Sequence, residues 1–449
     1  MAETPENLQA WMRFGQPLEA VIGDFMPIFD AWEAMGVKGI VLGRMYFRDD
    51  NHKYHPIFDP NPRIYERLGV FPPEPSAKKF PGRRRQLDQL FAEAKKRKWS
   101  ILIFSPDAGA LTGPGGKHAS FVKSDAWLAR ILDTLAQFPE VDGCIIDGPE
   151  WGYEIQPGHR ANIFADLPES VRPLAESRHF DFGELQRARD SLHTRLHQLK
   201  QRRVGTESRR GLMGALRLFG SVPELTTWLR FRTETLTGTV KTLKGLMREQ
   251  RKDLRLGMGP RSAAFAPLCG YDFRILMEHL DYLLPKHYFW HRGYDGFYGT
   301  VYRWMNTLTD WNPGLSDEQA LQVVKAFFGI NLPGLKNAFD FERGFPDEFF
   351  MEVVAKETTA ALSAVKRPEQ VVPWVDVGRR PHDGDPMGSS DFIRTLEASH
   401  NVGLRRFLYH NHSHLSPAEV EVMRALCGDP DQPIPKQYRP PDGLHEHVV

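Results

Sequence analysis

The chain has little of what marks several large protein classes. It has three cysteines, Cys144, Cys269 and Cys427, far apart and with no CxxC pair. That excludes a disulfide framework and a zinc knuckle as expectations, and sparse thiols fit a reducing compartment. There is no GxGxxG and no GxxxxGK[ST] run, so neither a dinucleotide fingerprint nor a phosphate-cradling loop is signalled. The GPGGK at 113–117 lacks the Walker spacing and its Ser/Thr and reads as a flexible loop. No apolar run approaches about 18 residues, so no membrane span is expected. MAETPENLQAWMRFG at the start shows no basic segment followed by an apolar one. A secretory leader is therefore not expected, and the cytoplasm is the expected location. Net charge is +1, too small for a field that would gather nucleic acid. Repeats and low-complexity blocks are absent.

What is present is globular. The 449 residues are 41% hydrophobic, 26% charged and 11% aromatic, enough for a large core. Short aliphatic runs ending in Gly, Pro or polar clusters read as strands. They are 37–43 (VKGIVLG), 99–105 (WSILIFS), 141–147 (VDGCIID), 254–259 (LRLGMG), 282–287 (YLLPKH), 335–341 (LKNAFDF), 371–377 (VVPWVDV) and 405–410 (RRFLYH). The sixth has the poorest pattern. Helical spacing falls between them at 25–35, 84–98, 125–138, 226–251, 318–328 and 347–366, and again at 416–427, where Ser416 caps and Pro417 opens the helix.

Eight strands alternating with helices predict an α/β fold, a (β/α)8 TIM-type barrel. An open sheet would want a glycine-rich loop after its first strand, and GRMYF stands there instead. We expect one barrel domain over 1–428, a helical insertion around 151–225 and a Pro-rich tail over 429–449. Three long connections, 48–81, 151–225 and 288–313, follow strand ends, where barrel enzymes build sites and lids.

In such a barrel the polar residues closing each strand meet at one mouth. Here they are Arg44, Ser105, Asp107, Asp147, Glu150, Arg261, Lys286, His287, Trp290, His291, Asp295, Asp340, Glu342, Asp376, Arg379, His410 and His412. The sharpest segment is VDGCIIDGPEWGY at 141–153. A buried strand delivers Asp147, a Gly-Pro turn follows, and then come Glu150 and Trp151. Glycosidic cleavage needs one carboxyl to protonate the leaving oxygen and another to stabilise or attack the anomeric carbon. An acid beside an aromatic wall suits the donor role. The alternative is that Asp147 caps the turn and Glu150 pairs with a surface Arg. Glu342, then Asp376, are candidates for the second acid. About 5–5.5 Å between the carboxyls would mean retention and roughly 6.5–9.5 Å inversion. Carboxylates locked in ion pairs would instead turn attention to the histidines.

PKHYFWHRGYDGFYGT at 285–300 is dense in aromatics and cations. Lys286, His287, Trp290, His291 and Asp295 there, with Trp151, Arg44, Arg261 and His410, fit a sugar-binding wall: flat faces for rings, donors for hydroxyls. Core packing beneath a long loop is the competing account. His410, His412 and His414 form HxHxH, which on an extended strand could present imidazoles to a metal. This would make a metal-dependent, amidohydrolase- or deacylase-like hydrolase. No carboxylate-rich partner motif stands beside it, so no metal and no cofactor are expected. The basic helical stretch ELQRARDSLHTRLHQLKQRR reads as a solvated face.

On IIDGPEW, WLRFRTETLTGTVKTLKGLM, LRLGMGPR, GYDFRILMEHLDYLLPKHYFW and LRRFLYHNHSHLSPAEVEVM, the chain resembles a loosely defined group of bacterial glycoside-hydrolase-like barrel proteins. The resemblance runs over 226–423, with IIDGPEW earlier. It implies a barrel and action on glycosides, and fixes neither substrate nor catalytic residues. The largest clan of retaining barrels typically places Asn before the acid on the fourth strand; here Pro149 precedes Glu150, and that strand counts as the third.

The expectation is a glycoside hydrolase acting on a small carbohydrate, with Glu150 as general acid/base, Asp147 or Glu342 at the anomeric centre, and Trp151, Trp290 and Tyr288 walling the mouth. No nucleic-acid or membrane partner is expected. A metal-dependent hydrolase and a non-catalytic carbohydrate-binding barrel are the alternatives.

Overall fold

The computed structural model describes residues 7–441 except 15–17, 44–45, 49–53, 57, 74, 76–81, 106–124, 159–161, 221–222, 378–384 and 386. Eight parallel strands ring its centre among the described residues. In chain order they are Gln9–Phe14, Val37–Leu42, Ser100–Ser105, Gly143–Ile146, Arg255–Met258, a broken run of Tyr282–Leu283 and Lys286–His287, Trp374–Val375 and Arg406–Tyr409. Each pairs with its sequence neighbours, as in Ile40↔Ile101 and Ile145↔Gly257. The first strand pairs with the last, Trp11↔Leu408.

The ring closes through the sixth strand. Its first half pairs with the fifth, Met258↔Leu283, and its second half with the seventh, Val375↔His287. Pro285 breaks this strand between the halves, because a proline carries no amide for a ladder. The result is an α/β barrel of the TIM type.

Seven of the eight expected strands stand where the residues placed them, and one expectation is corrected. Residues 335–341 form a turn and a short 3-10 helix, Ala338–Glu342, capped by the Asn337 side chain. The ring instead takes Gln9–Phe14, which the sequence pattern did not flag. The strand ending at Asp147 is therefore the fourth, not the third.

Side chains of one parity fill the barrel. Trp11 of the first strand meets Tyr282 of the sixth edge-on, ring centroids 5.0 Å apart. Gly39 makes room for it, since a Cβ there would lie 2.7 Å from the indole. Two residues on, Arg13 lies over the Phe104 ring at 4.4 Å, one layer nearer the strands' C-terminal ends.

Helices cover the outside. Asp125–Gln137 turns Trp127, Leu128, Ile131, Leu132 and Leu135 inward. Asp317–Phe328 begins at a Ser316/Gln319 capping box and Pro417–Cys427 at a Ser416/Glu419 one, each satisfying amides that the first turn leaves without partners. The insertion after the fourth strand contains helices Arg172–Ser177, Phe182–Leu196, Gln201–Glu207 and Gly211–Phe219 before the long helix Pro223–Gln250. No helix among the described residues is long and apolar enough to cross a membrane.

Candidate active site

The fourth strand supplies both acids of the DGPE turn. Gly148 has φ 84°, a backbone region that costs a side-chain-bearing residue energy and costs glycine none. This turn lets Asp147 and Glu150 both stand at the mouth. Lys286, from the sixth strand, reaches Asp147 Oδ1 at 2.8 Å. Burial alone would raise the Asp147 carboxyl; the Lys286 ammonium and Arg261 guanidinium outweigh it and hold it below the usual range. Asp147 is thus an anion, with 32% of its side chain still exposed.

Glu150 is clamped. Arg261, just past the fifth strand, donates from Nε to Oε2 at 2.8 Å and from Nη2 to Oε1. The Tyr271 hydroxyl donates to Oε2 at 3.2 Å. Both oxygens are acceptors in this bidentate pose. Arg261 also pairs through Nη1 with Asp295, which accepts from the Tyr153 hydroxyl at 3.3 Å. Burial would lower the Arg261 pKa; Asp295 and Glu150 reverse that and drive it well up. Burial raises the Tyr153 and Tyr271 phenols well above their usual value, so both stay neutral donors.

The loop carrying Asp295 is held from behind. Arg303 of helix Phe297–Trp311 pairs with the buried Glu154, Nε to Oε2 at 3.0 Å, and donates to the Gly293 carbonyl at 2.8 Å. Arg292 and Asp295 themselves have φ 56° and 62°. Left-handed conformations in non-glycine residues persist where surrounding contacts enforce them, and they gather at functional loops.

A second network crosses the seventh, eighth and first strands. Asp376 Oδ2 lies 2.7 Å from His410 Nδ1, and Oδ1 lies 3.0 Å from His414 Nδ1. Arg13 Nη1 lies 2.8 Å from His410 Nε2. A guanidinium only donates, so Nε2 accepts, the ring is neutral, and its proton sits on Nδ1 toward Asp376. Burial also pushes His410 down, to about 3. Burial would raise Asp376, but donors from His414 and His410 hold it well below its usual range.

Several expected residues lie elsewhere. Glu342 sits on the short 3-10 helix, 58% exposed and paired with Arg292 at 2.9 Å. Asp340 is a cap, accepting from the Lys336 amide at 2.8 Å and the Asn337 amide at 3.1 Å. Trp290 is 0% exposed and Trp151 4%. Trp290 stacks on Tyr288 and gives its N–H to the Tyr294 carbonyl; Trp151 donates to the Arg232 carbonyl. These rings are core, not an open wall. His287 follows Lys286 on the strand and so points to the opposite face, buried near Phe289; burial pulls it down to about 3. His291 packs between Tyr298 and Phe345, and burial pulls it to about 4. His412 turns to Phe14 and Trp32 rather than to the other two histidines. Among the described residues no three His, Cys, Asp or Glu side chains are grouped to hold a metal. Arg44, Asp107 and Arg379 lie outside the described residues.

The structure brings together Asp147, Glu150, Arg261, Lys286 and Asp295, with Asp376 and His410 on the facing strands. Arg13, Tyr153 and Tyr271 join these clusters and were not singled out as site residues; His414, expected only as part of HxHxH, joins through Asp376. Arg13 would have stood out had MRF been read as a strand end. The tyrosines carry no sequence signal.

No family model matches the chain, and no curated protein matches it. Among solved structures, it is similar to the glycoside hydrolase domain of PgaB (BpsB) from Bordetella bronchiseptica, TM-score 0.49 and 11% identity over 95% of this chain and 99% of that one. It is similar to a β-galactosidase of the haloarchaeon Halorubrum lacusprofundi, TM-score 0.45 and 13% identity over 94% and 57%. It is also similar to the Group IV chitinase of Ostrinia furnacalis, TM-score 0.43 and 11% identity over 94% and 100%. Likeness at this level assigns no residue and no reaction.

Proposed function

We propose that the barrel mouth binds a carbohydrate and cleaves a glycosidic bond, with Asp147 as the carboxylate facing the anomeric centre. One observation carries this: Asp147 is a strand-end anion, partly exposed, kept ionised by Lys286. Positive charge develops on the sugar ring during cleavage, and a fixed carboxylate stabilises or attacks it. Glu150 is the proton carrier. In the clamped pose it only accepts; once substrate draws Arg261 away toward Asp295, its other partner, the freed carboxylate takes a proton from water and then passes it to the leaving oxygen. Lys286 and Arg261 bind hydroxyl or carboxylate groups of the sugar, and His410 holds Asp376 in place across the mouth. The expected wall of Trp151, Tyr288 and Trp290 is replaced by these charged donors.

A panel of chromogenic aryl glycosides tests it. On a cleaved member, Asp147→Asn should lower kcat/KM by at least about a thousandfold, and azide should restore turnover if Asp147 is the nucleophile. Turnover of Asp147→Asn within about tenfold of the parent, with its fold intact, rejects the role.

One observation favours a non-catalytic carbohydrate-binding barrel instead. Asp147, Glu150, Glu342 and Asp376 are each already paired with a cation or a histidine. Saturable sugar binding by calorimetry, with no member of the panel cleaved, would select this second reading.

A further inference from the structure

The basic helical stretch after the fourth strand contains the run HTRLH, which the proposed function does not use. His193 lies in the last turn of helix Phe182–Leu196, and His197 caps its end. Residues four apart share a helix face. The two Nε2 atoms lie 3.1 Å apart.

The rings are held in this pose by neighbours rather than free to turn. His197 stacks on Trp311, centroids 3.8 Å apart and planes 21° from parallel. His193 meets the edges of Phe164 at 4.8 Å and Trp311 at 5.1 Å. The pair remains at the surface, so water can complete a coordination shell.

We propose that His193 and His197 form a binding site for a late divalent transition-metal ion, copper, nickel or zinc, separate from the barrel mouth. Imidazole nitrogens bind such ions at about 2.0–2.1 Å. At that length a 3.1 Å separation subtends about 95–102° at the metal, between the square and tetrahedral angles. The alternative use of the same spacing is a single N–H···N hydrogen bond, whose shared proton a metal would replace. Metal binding needs neutral imidazole. Asp190, a turn earlier on the helix, is taken up by Arg189 at 2.8 Å, so two imidazoles and water make up the site.

The proposal is independent of the carbohydrate reading. The untagged 449-residue protein is titrated with Cu2+ while tryptophan emission is followed. Copper bound at His197 sits against Trp311 and should quench it, a saturable loss of about a tenth of the emission of ten tryptophans. Zn2+, which has a filled d shell and binds imidazole more weakly than Cu2+, should restore the emission only when added in large excess over the copper. His193→Ala and His197→Ala, both near the surface and checked for fold by circular dichroism, should each weaken binding at least about tenfold. Equilibrium dialysis should find one copper per chain in the parent and none in the double variant. An unchanged quench in both variants, no saturable quench below about 100 μM copper, or equal copper in parent and double variant overturns the site and leaves the hydrogen bond alone.

Discussion

Arg261 donates to Glu150 and Asp295 at once while itself almost wholly buried. Removing one partner of a buried ion pair leaves charge that water cannot reach. Arg261→Met keeps the volume and removes the cation, so it should cost about 3–5 kcal/mol in urea unfolding. A loss under about 1 kcal/mol would mean that Glu150 and Asp295 find other partners. Lys286→Met asks a different question. Without the ammonium, burial dominates at Asp147 and its carboxyl should rise. The acidic limb of kcat/KM against pH should then move to higher pH, and an unmoved limb would assign it to another group. Both acids and both cations were legible as strand-end residues. That Glu150 pairs with an arginine was the alternative reading, but not with which one: Arg261 is buried and 111 positions from Glu150, and only barrel closure brings them together.

At the scale of elements, the fourth strand depends on a close approach. Gly143 pairs with Arg255, and a Cβ at Gly143 would lie 1.9 Å from the Arg255 carbonyl oxygen. Gly143→Ala should therefore push the fourth and fifth strands apart, costing about 1–3 kcal/mol and disordering the DGPE turn. A circular dichroism melt compared with Gly82→Ala, where a Cβ meets nothing within 4 Å, checks that the loss comes from the clash. The same scale explains what the sequence hid. Buried parallel strands read as aliphatic runs, and IVL, ILIF and CII are such runs. QAWMRF is not, because Trp11 and Arg13 face the barrel interior, where one large ring fills a layer that several aliphatics could otherwise share. LKNAFDF misled in the opposite way. Its apolar residues mimic a strand, while Asn337 and Asp340 at cap spacing bond the backbone of a tight turn; that cap pattern was readable.

The whole molecule carries a set of buried titrations that should govern its response to acid. Burial holds His287 and His410 down to about 3 and His291 to about 4, from 6.5. A histidine with a lowered native pKa binds its proton only on unfolding, so stability falls as pH drops below about 6.5. Glu357 works the other way. Burial raises it to about 7, so the native state holds a proton that the unfolded chain releases above about 4.5, and its stability contribution is lost as pH rises through 7. Between about pH 4.5 and 6.5 these four groups together take up three protons and release one on unfolding. Their net uptake of two contributes about 2.7 kcal/mol per pH unit to the slope. Below about pH 4, Asp147 and Asp376 add to the loss, since both carboxyls sit below their usual range. Glu357→Gln is neutral at every pH and removes the opposing proton. The slope should steepen by about 1.4 kcal/mol per pH unit, read from urea unfolding at pH 5.0, 5.5 and 6.0. Glu357 accepts from the Ala264 amide at 3.1 Å, in the turn that follows Arg261, so the variant also asks whether this proton tunes the mouth. If the slope is the same in both proteins, Glu357 is ionised in the native state, and the backbone donors of that turn outweigh its burial.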